Sequence, residues 1–173
     1  MLSETPVEDS ARGIYSHRVC GGKWLVGGAS NVGCKILRQE NFSDDELVEL
    51  SNRIDPMMDI PLEYYPLTKP GERFPVQDPN KMPILEPKPT SRAQYLHGIL
   101  QSIARIEREA YFALKELGAT PVKQVLTAGG GAKNPVWTRM RQRLLGVETL
   151  PAKNADAAYG AAMLARMFSL NQA

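Results

Sequence analysis

The sequence VLTAGGGAKNPVW at residues 125–137 predicts a strand, a glycine turn and a helix in immediate succession. The β-type run covers residues 122–128, and three glycines follow it at once. Asn134 is a favourable helix N-cap, and Pro135 suits the first helical position because its missing N–H needs no partner there. A strand that passes through a tight turn into a helix is typical of an α/β protein.

The glycines and the helix start also predict a binding site for phosphate or for a polar edge of a nucleotide. Glycine lets the backbone approach a ligand closely, and a helix N-terminus presents N–H groups at the positive end of its dipole. The Asn134 amide offers donor and acceptor groups, provided that capping does not use them. A strand-to-helix turn without a ligand fits the same residues, so the residues alone leave both interpretations open. The turn is neither a Walker A loop nor a G-x-G-x-x-G loop, because the required Gly-Lys-Ser/Thr and the third spaced glycine are absent.

The flanking sequence predicts further elements of an α/β domain. Residues 147–150 suit a short strand, and an alanine-rich helix is expected over about residues 155–168. Upstream, residues 13–19 and 24–26 suit two strands joined by a turn at residues 20–23, which indicates a hairpin. The alternation of strands and helices after this hairpin predicts an α/β fold.

Two helices are expected between the hairpin and residue 55. Ser30 or Asn31 is expected to cap a helix over residues 32–39. Ser43 begins a second helix, to about residue 54, because a glutamate three residues later completes a capping box.

Residues 55–90 differ in kind, because they hold nine of the 13 prolines of the chain. Proline removes backbone donors and is excluded from helix interiors and central strands, so a long irregular excursion is predicted. Its aromatic and leucine residues favour an ordered arm that packs on the domain. A long amphipathic helix follows from Ser91 and stops at Gly118.

Composition excludes several classes of function. The 173 residues suit one domain, and a net charge of +2 is too small to indicate a nucleic-acid or membrane partner. Cys20, Cys34 and the two histidines form no metal-ligand pattern, so no metal site is predicted. The polar, acidic N-terminus has no signal-peptide core. A cytoplasmic location is the expectation, with a plastid as the alternative if the chain derives from a longer plant precursor.

The segments GGGAKNPVWTRMRQRLLG and ADAAYGAAMLA, in this order, resemble the end of carbohydrate kinases of the FGGY family. Upstream, WLVGGASNVGCKILRQ is similar to the start of that family's C-terminal domain. The resemblance covers about residues 14–168, with residues 55–90 as its variable part. It implies a ribonuclease H-like (actin-like ATPase) domain, the C-terminal half of a two-domain sugar kinase. On this interpretation residues 1–13 are a remnant or linker, and residues 14–173 form the nucleotide-binding domain.

The resemblance also assigns site residues. Four residues match the turn that holds the adenosine part of ATP: Gly129, Gly130, Gly131 and Ala132. Asn134 matches a position that often carries a polar residue near adenine. Gly33 matches a glycine near the phosphates, and helix packing is an equal alternative for it. Four basic residues at the turn and in the following helix are instead predicted to form a solvated face: Lys133, Arg139, Arg141 and Arg143.

The implied activity is transfer of the ATP γ-phosphate to a sugar hydroxyl. The segments GASNVGCKILRQ and YYPLTKPGERFP resemble D-ribulose kinases and xylulose-kinase-like proteins, which implies a pentulose substrate. In the family the catalytic aspartate and most sugar contacts belong to the N-terminal domain, and Mg²⁺ is held mainly through the phosphates and that domain. No catalytic residue is therefore assigned here, and the chain is expected to be inactive alone. The alternative is a non-catalytic nucleotide-binding or regulatory module.

The expected partners are ATP or ADP, and a sugar bound at the cleft with the N-terminal domain. The face toward that domain is expected to be exposed and partly apolar, which predicts self-association of the isolated chain.

Overall fold

The computed structural model describes residues 1–170, without the side chains of Cys20 and of residues 167–170. Five strands are present in this part of the chain: β1 (Leu2–Ser3), β2 (Tyr15–Arg18), β3 (Trp24–Gly27), β4 (Gln124–Thr127) and β5 (Glu148–Pro151). The α-helices are α1 (Lys35–Gln39), α2 (Asp44–Ser51), α3 (Arg92–Glu116), α4 (Pro135–Leu145) and α5 (Ala157–Leu170). The predicted α/β class is confirmed.

The strands form two separate sheets. One is antiparallel in the order β1-β3-β2, and its β2–β3 pair is the predicted hairpin, with Ser16 opposite Val26. The other is the parallel pair β4–β5, with Val125 opposite Thr149. A parallel pair needs a crossover connection, which α4 supplies. Residues 1–13, for which the sequence predicts a remnant or linker, contribute β1 to the first sheet and Val7 to the core beneath it.

The helix caps follow the local sequence. The side chains of Ser43 and Ser91 accept the backbone N–H of the third residue after them, as predicted. The helix after Ser43 ends at Ser51, three residues earlier than expected, and the long helix reaches its C-cap at Leu117 just before Gly118. These starts are predictable because a cap involves residues only two or three positions apart.

The prediction that Ser30 or Asn31 caps the next helix is wrong. The helix α1 begins at Lys35, and its N-cap residue, Cys34, makes no side-chain capping bond. The side chains of Ser30 and Asn31 instead bind Glu72 and Gly71 in the proline-rich arm, defined here as residues 55–90. A tertiary contact has taken the polar groups that a helix end would otherwise use.

The proline-rich arm is irregular but packs on the domain. Isolated bridges join Tyr65 to Ile84 and Glu72 to Asp78. Leu67 and Phe74 are buried, and the Tyr64 ring lies edge-on to that of Tyr95 in α3. Because each fully buried side chain of this size contributes about 1.5–3 kcal/mol, these residues hold the arm in place.

The long helix α3 connects two hydrophobic clusters. Leu96 and Leu100, in its first half, pack with Met140 of α4 and with residues of α1 and α2. Leu114, near its end, packs with Val26 of β3 and with the arm's Phe74. The middle of α3 therefore lies between the two clusters. No helix among residues 1–170 is long and apolar enough to cross a membrane.

Candidate functional site

A cleft of about 490 Å³ opens between the two sheets. One wall is the glycine loop, defined as residues 28–33 after β3, and the other is residues 128–131 after β4. Its floor is the apolar face of α3: Ile103, Ile106, Ala110 and Leu114. Two glycine-bearing segments thus face each other across a partly apolar cavity, a common form for a ligand site.

The three glycines of the turn differ in what requires them. Gly129 has φ +89°, which a residue with a side chain adopts only under strain. A Cβ at Gly131 would lie 2.3 Å from the Trp137 ring, so close packing excludes a side chain there. Gly130 has no heavy atom within 4 Å of a Cβ position and lines the cleft. The fold therefore explains Gly129 and Gly131 without a ligand, whereas packing at Gly130 does not require a glycine.

Asn134 performs the capping role that the sequence left open. Its Oδ1 accepts the N–H groups of Val136 and Trp137, both at 3.0 Å, and its Nδ2 donates to Ser51 Oγ at 2.8 Å. Neither Asn134 nor Ala132 lines the cleft. The amide that was predicted to lie near adenine is thus engaged at the start of α4.

Gly33 lies on the opposite wall of the cleft. No heavy atom lies within 4 Å of a Cβ built there, so this glycine makes no close helix packing. Gly28 differs, because a Cβ there would lie 2.5 Å from the Phe74 ring of the arm. Of the predicted site residues, Gly33, Gly130 and Gly131 are the ones that border one cavity.

A buried ionic cluster lies beside the turn, and the sequence analysis did not predict it. Arg141 is not part of a solvated face: it is 5% exposed, and its guanidinium donates to both Glu107 oxygens at 2.7 and 2.6 Å. It also donates to Thr127 Oγ1 and lies 5.0 Å from the centre of the Trp137 ring. Lys133 and Arg139, by contrast, are exposed as predicted. The prediction is wrong for Arg143, whose half-buried guanidinium donates to Pro56 O and Asp59 Oδ1 of the arm. The spacing of Glu107 and Arg141 in sequence gives no signal, because only the packing of α3 on α4 brings them together.

Burial shifts the pKa of two side chains on the cleft wall, Cys34 and Tyr111. Burial raises the pKa of the Cys34 thiol, and the Arg141 charge opposes this in part. Burial also raises the pKa of Tyr111, with the Glu107 carboxylate adding to the effect. Both groups therefore stay protonated at neutral pH, and the Glu107 carboxylate is committed to Arg141. Within residues 1–170, no three His, Cys, Asp or Glu side chains converge as metal ligands.

Comparison with known proteins agrees with this architecture. The profile of the C-terminal domain of the FGGY family of carbohydrate kinases matches residues 1–168. A xylulose kinase from Bifidobacterium adolescentis superimposes with a TM-score of 0.76 at 22% identity, over 96% of this chain and 33% of that one. One from Lactobacillus acidophilus gives 0.75 at 19% identity, over 100% and 37%.

The chain thus spans about a third of the length of these kinases. The matched profile and the shared fold identify the C-terminal half of an actin-like ATPase architecture. The chain belongs to the FGGY family of carbohydrate kinases and corresponds to its C-terminal domain.

Proposed function

We propose that the cleft binds ATP as its magnesium complex, and that the chain is the nucleotide-binding half of a kinase acting on a pentulose such as ribulose or xylulose. The observation that carries the proposal is the pair of glycines, Gly33 and Gly130, on opposite walls of one cleft. Each has open space where a side chain would project, so a ligand can approach both backbones. The apolar floor from α3 suits a base, and backbone N–H groups at the walls suit polar groups.

The pentulose is proposed from two sources. The segments at residues 28–39 and 64–75 resemble those of pentulose kinases, and the matched solved structures are named as xylulose kinases. The residues that would contact a sugar are proposed to belong to the N-terminal domain of the complete enzyme.

Phosphoryl transfer depends on positioning, on electrostatic stabilisation and on a base for the attacking hydroxyl. On the cleft wall Glu107 is held by two bonds from Arg141, and the Tyr111 and Cys34 protons are retained. None of these groups suits a general base near neutral pH. We therefore propose that the base comes from the N-terminal domain and that this chain alone transfers no phosphate.

The same observation supports a second candidate, a nucleotide-binding module without catalysis. The two candidates differ when the chain is combined with the N-terminal half of a related pentulose kinase. Phosphorylation of D-xylulose or D-ribulose by the mixture supports the kinase. ATP binding without any phosphorylation in the mixture supports the regulatory module.

The binding test is isothermal titration of the chain with Mg-ATP, repeated with Gly130→Val and Gly160→Val. Both positions have open space around a Cβ, but Gly160 lies in α5 and not on the cleft. We expect Gly130→Val to abolish Mg-ATP binding because the methyl groups of the valine would enter the cleft. Gly160→Val should bind Mg-ATP as the parent does. Equal binding by the two variants contradicts a nucleotide site at this turn, as does absence of binding by the folded parent.

A proposed consequence of exposing one half of the enzyme is self-association. Leu126 and Leu150, directly paired in the β4–β5 sheet, are 63% and 39% exposed. Exposed apolar pairs of this kind favour association when no other part of a protein covers them.

The cytoplasm is the proposed compartment.

A further inference from the structure

A buried carboxylate in the proline-rich arm holds the glycine loop. Glu72 is 2% exposed, although it carries a carboxylate, and its two oxygens accept four hydrogen bonds. Oε1 accepts the backbone N–H groups of Asn31 at 2.6 Å and Arg73 at 2.8 Å. Oε2 accepts the hydroxyls of Ser30 at 2.8 Å and Tyr65 at 3.1 Å. A buried carboxylate is stable only with such a complete set of donors.

Further contacts join the same two segments. Asn31 Nδ2 donates to Gly71 O at 3.0 Å, and Arg73 Nε donates to Asn31 Oδ1 at 2.9 Å. The next arm residue, Phe74, packs against Gly28 and also lines the cleft. The hydrogen bonds that tie residues 30 and 31 to distant parts of the chain therefore run to residues 71–73.

This arrangement gives the arm a role at the cleft. Residues 28–33 have no strand or helix of their own, so their position depends on tertiary contacts. Ser30 and Gly33 both line the cleft, and the Glu72 bonds to residues 30 and 31 lie within three residues of Gly33. Loss of the hydrogen bonds from residues 30 and 31 to Glu72 would let this wall of the cleft move, while the two hydrophobic clusters maintain the fold.

We propose that Glu72 is a positioning residue that fixes the glycine loop at the cleft, so that the arm sets the affinity for the nucleotide. The proposal rests on the proposed ATP site for its functional consequence. Its structural part, the hold on the loop, is tested separately from ATP binding.

The experiment compares Glu72→Ala, Glu72→Gln and Asp78→Ala in the full chain. Glu72→Ala removes both acceptors. Glu72→Gln can keep all four bonds, because its carbonyl accepts from the two N–H groups and its NH₂ donates to the two hydroxyl oxygens. The Asp78 carboxylate belongs to the same arm but binds Asn80 N and not the glycine loop.

Two readouts are measured: the Mg-ATP Kd by titration calorimetry, and hydrogen exchange of the Asn31 amide by NMR without ATP. If Glu72→Ala leaves the loop in place in about a tenth of the molecules, the apparent Kd rises about tenfold. Faster exchange at Asn31 accompanies it, while amides in the centre of α3 are unchanged. We expect Glu72→Gln and Asp78→Ala to resemble the parent in both measurements.

The proposal is overturned if Glu72→Ala leaves Asn31 exchange at the parent rate, or if Asp78→Ala weakens binding as much as Glu72→Ala. If Glu72→Ala does not fold, Ser30→Ala is used, which removes one of the two loop donors. A rise in both the Mg-ATP Kd and the Asn31 exchange rate, smaller than that expected for Glu72→Ala, then supports the proposal. A Kd and an exchange rate equal to those of the parent overturn it. If the parent chain does not bind ATP, the proposed function fails, and Asn31 exchange still decides whether Glu72 holds the loop.

Discussion

Replacement of Glu107 by leucine tests the buried ionic cluster beside the cleft. The change leaves the Arg141 guanidinium buried without its carboxylate, and the side chains of the pair are only 6% and 23% exposed for Arg141 and Glu107. Removing one member of a fully buried pair costs about 3–5 kcal/mol. Because Glu107 retains some contact with water, the lower end applies, about 3 kcal/mol. In a chain of this size, this corresponds to a fall of about 6–12 °C in Tm.

The assay is urea unfolding followed by tryptophan fluorescence, since Trp137 lies against the Arg141 guanidinium. The matched control is Glu49→Leu, which breaks the exposed Arg53–Glu49 pair, whose side chains are 61% and 64% exposed. An exposed pair of this kind contributes about 0.2–1 kcal/mol. We therefore expect Glu107→Leu to lower the free energy of unfolding by at least about 2 kcal/mol more than Glu49→Leu.

A double variant, Glu107→Leu with Arg141→Met, completes the comparison. Replacing both partners by apolar groups of similar volume is often neutral or stabilising, so the double variant should recover most of the loss. Equal costs for Glu107→Leu and Glu49→Leu would refute the reasoning, because burial would then add nothing to the pair. A double variant less stable than Glu107→Leu would do the same.

Three further changes follow from the structure. Gly131→Ala should lower the free energy of unfolding by about 1–3 kcal/mol through its clash with Trp137, while Gly130→Ala stays close to the parent in urea unfolding; equal midpoints contradict the packing. Burial lowers the pKa of His97 from its ordinary value of 6.5, so the unfolded chain takes up the proton first as pH falls below that value. The contribution of neutral His97 to stability should thus be fully present above about pH 6.5. Below that pH the free energy of unfolding should decline by up to about 1.4 kcal/mol per pH unit, and its decline between pH 7 and 5.5 should be smaller in His97→Gln. Leu126→Lys should reduce self-association in sedimentation velocity, and an unchanged distribution would place the contact elsewhere.

The elements nearest the cleft could be predicted because their signals are local. Asn134 and Pro135 begin a helix, Ser91 begins another, and the hairpin after residue 13 follows from two β-type runs around glycines. Such rules involve residues two to four positions apart, whose geometry the chain fixes before any tertiary contact forms. The family resemblance added the order of these elements and pointed to the turn at residues 129–131.

The partners of polar side chains could not be predicted in the same way. Ser30 was expected to cap a helix and instead binds Glu72, which is 42 residues away along the chain. Arg141 was expected in solvent and is buried against Glu107, 34 residues away. Neither contact leaves a pattern in the sequence, since each depends on where two separate elements pack.

The sequence by itself determined the α/β class, the starts of the principal helices and the glycine turn that marks one wall of the cleft. The tertiary structure decided which glycines are required by packing, which ones face open space, and that the arm supplies the support for the opposite wall. The physical reason is the range of the interactions: caps and turns act within a few residues, whereas burial of Glu72 and Arg141 requires donors or acceptors from elements that only the folded chain brings together.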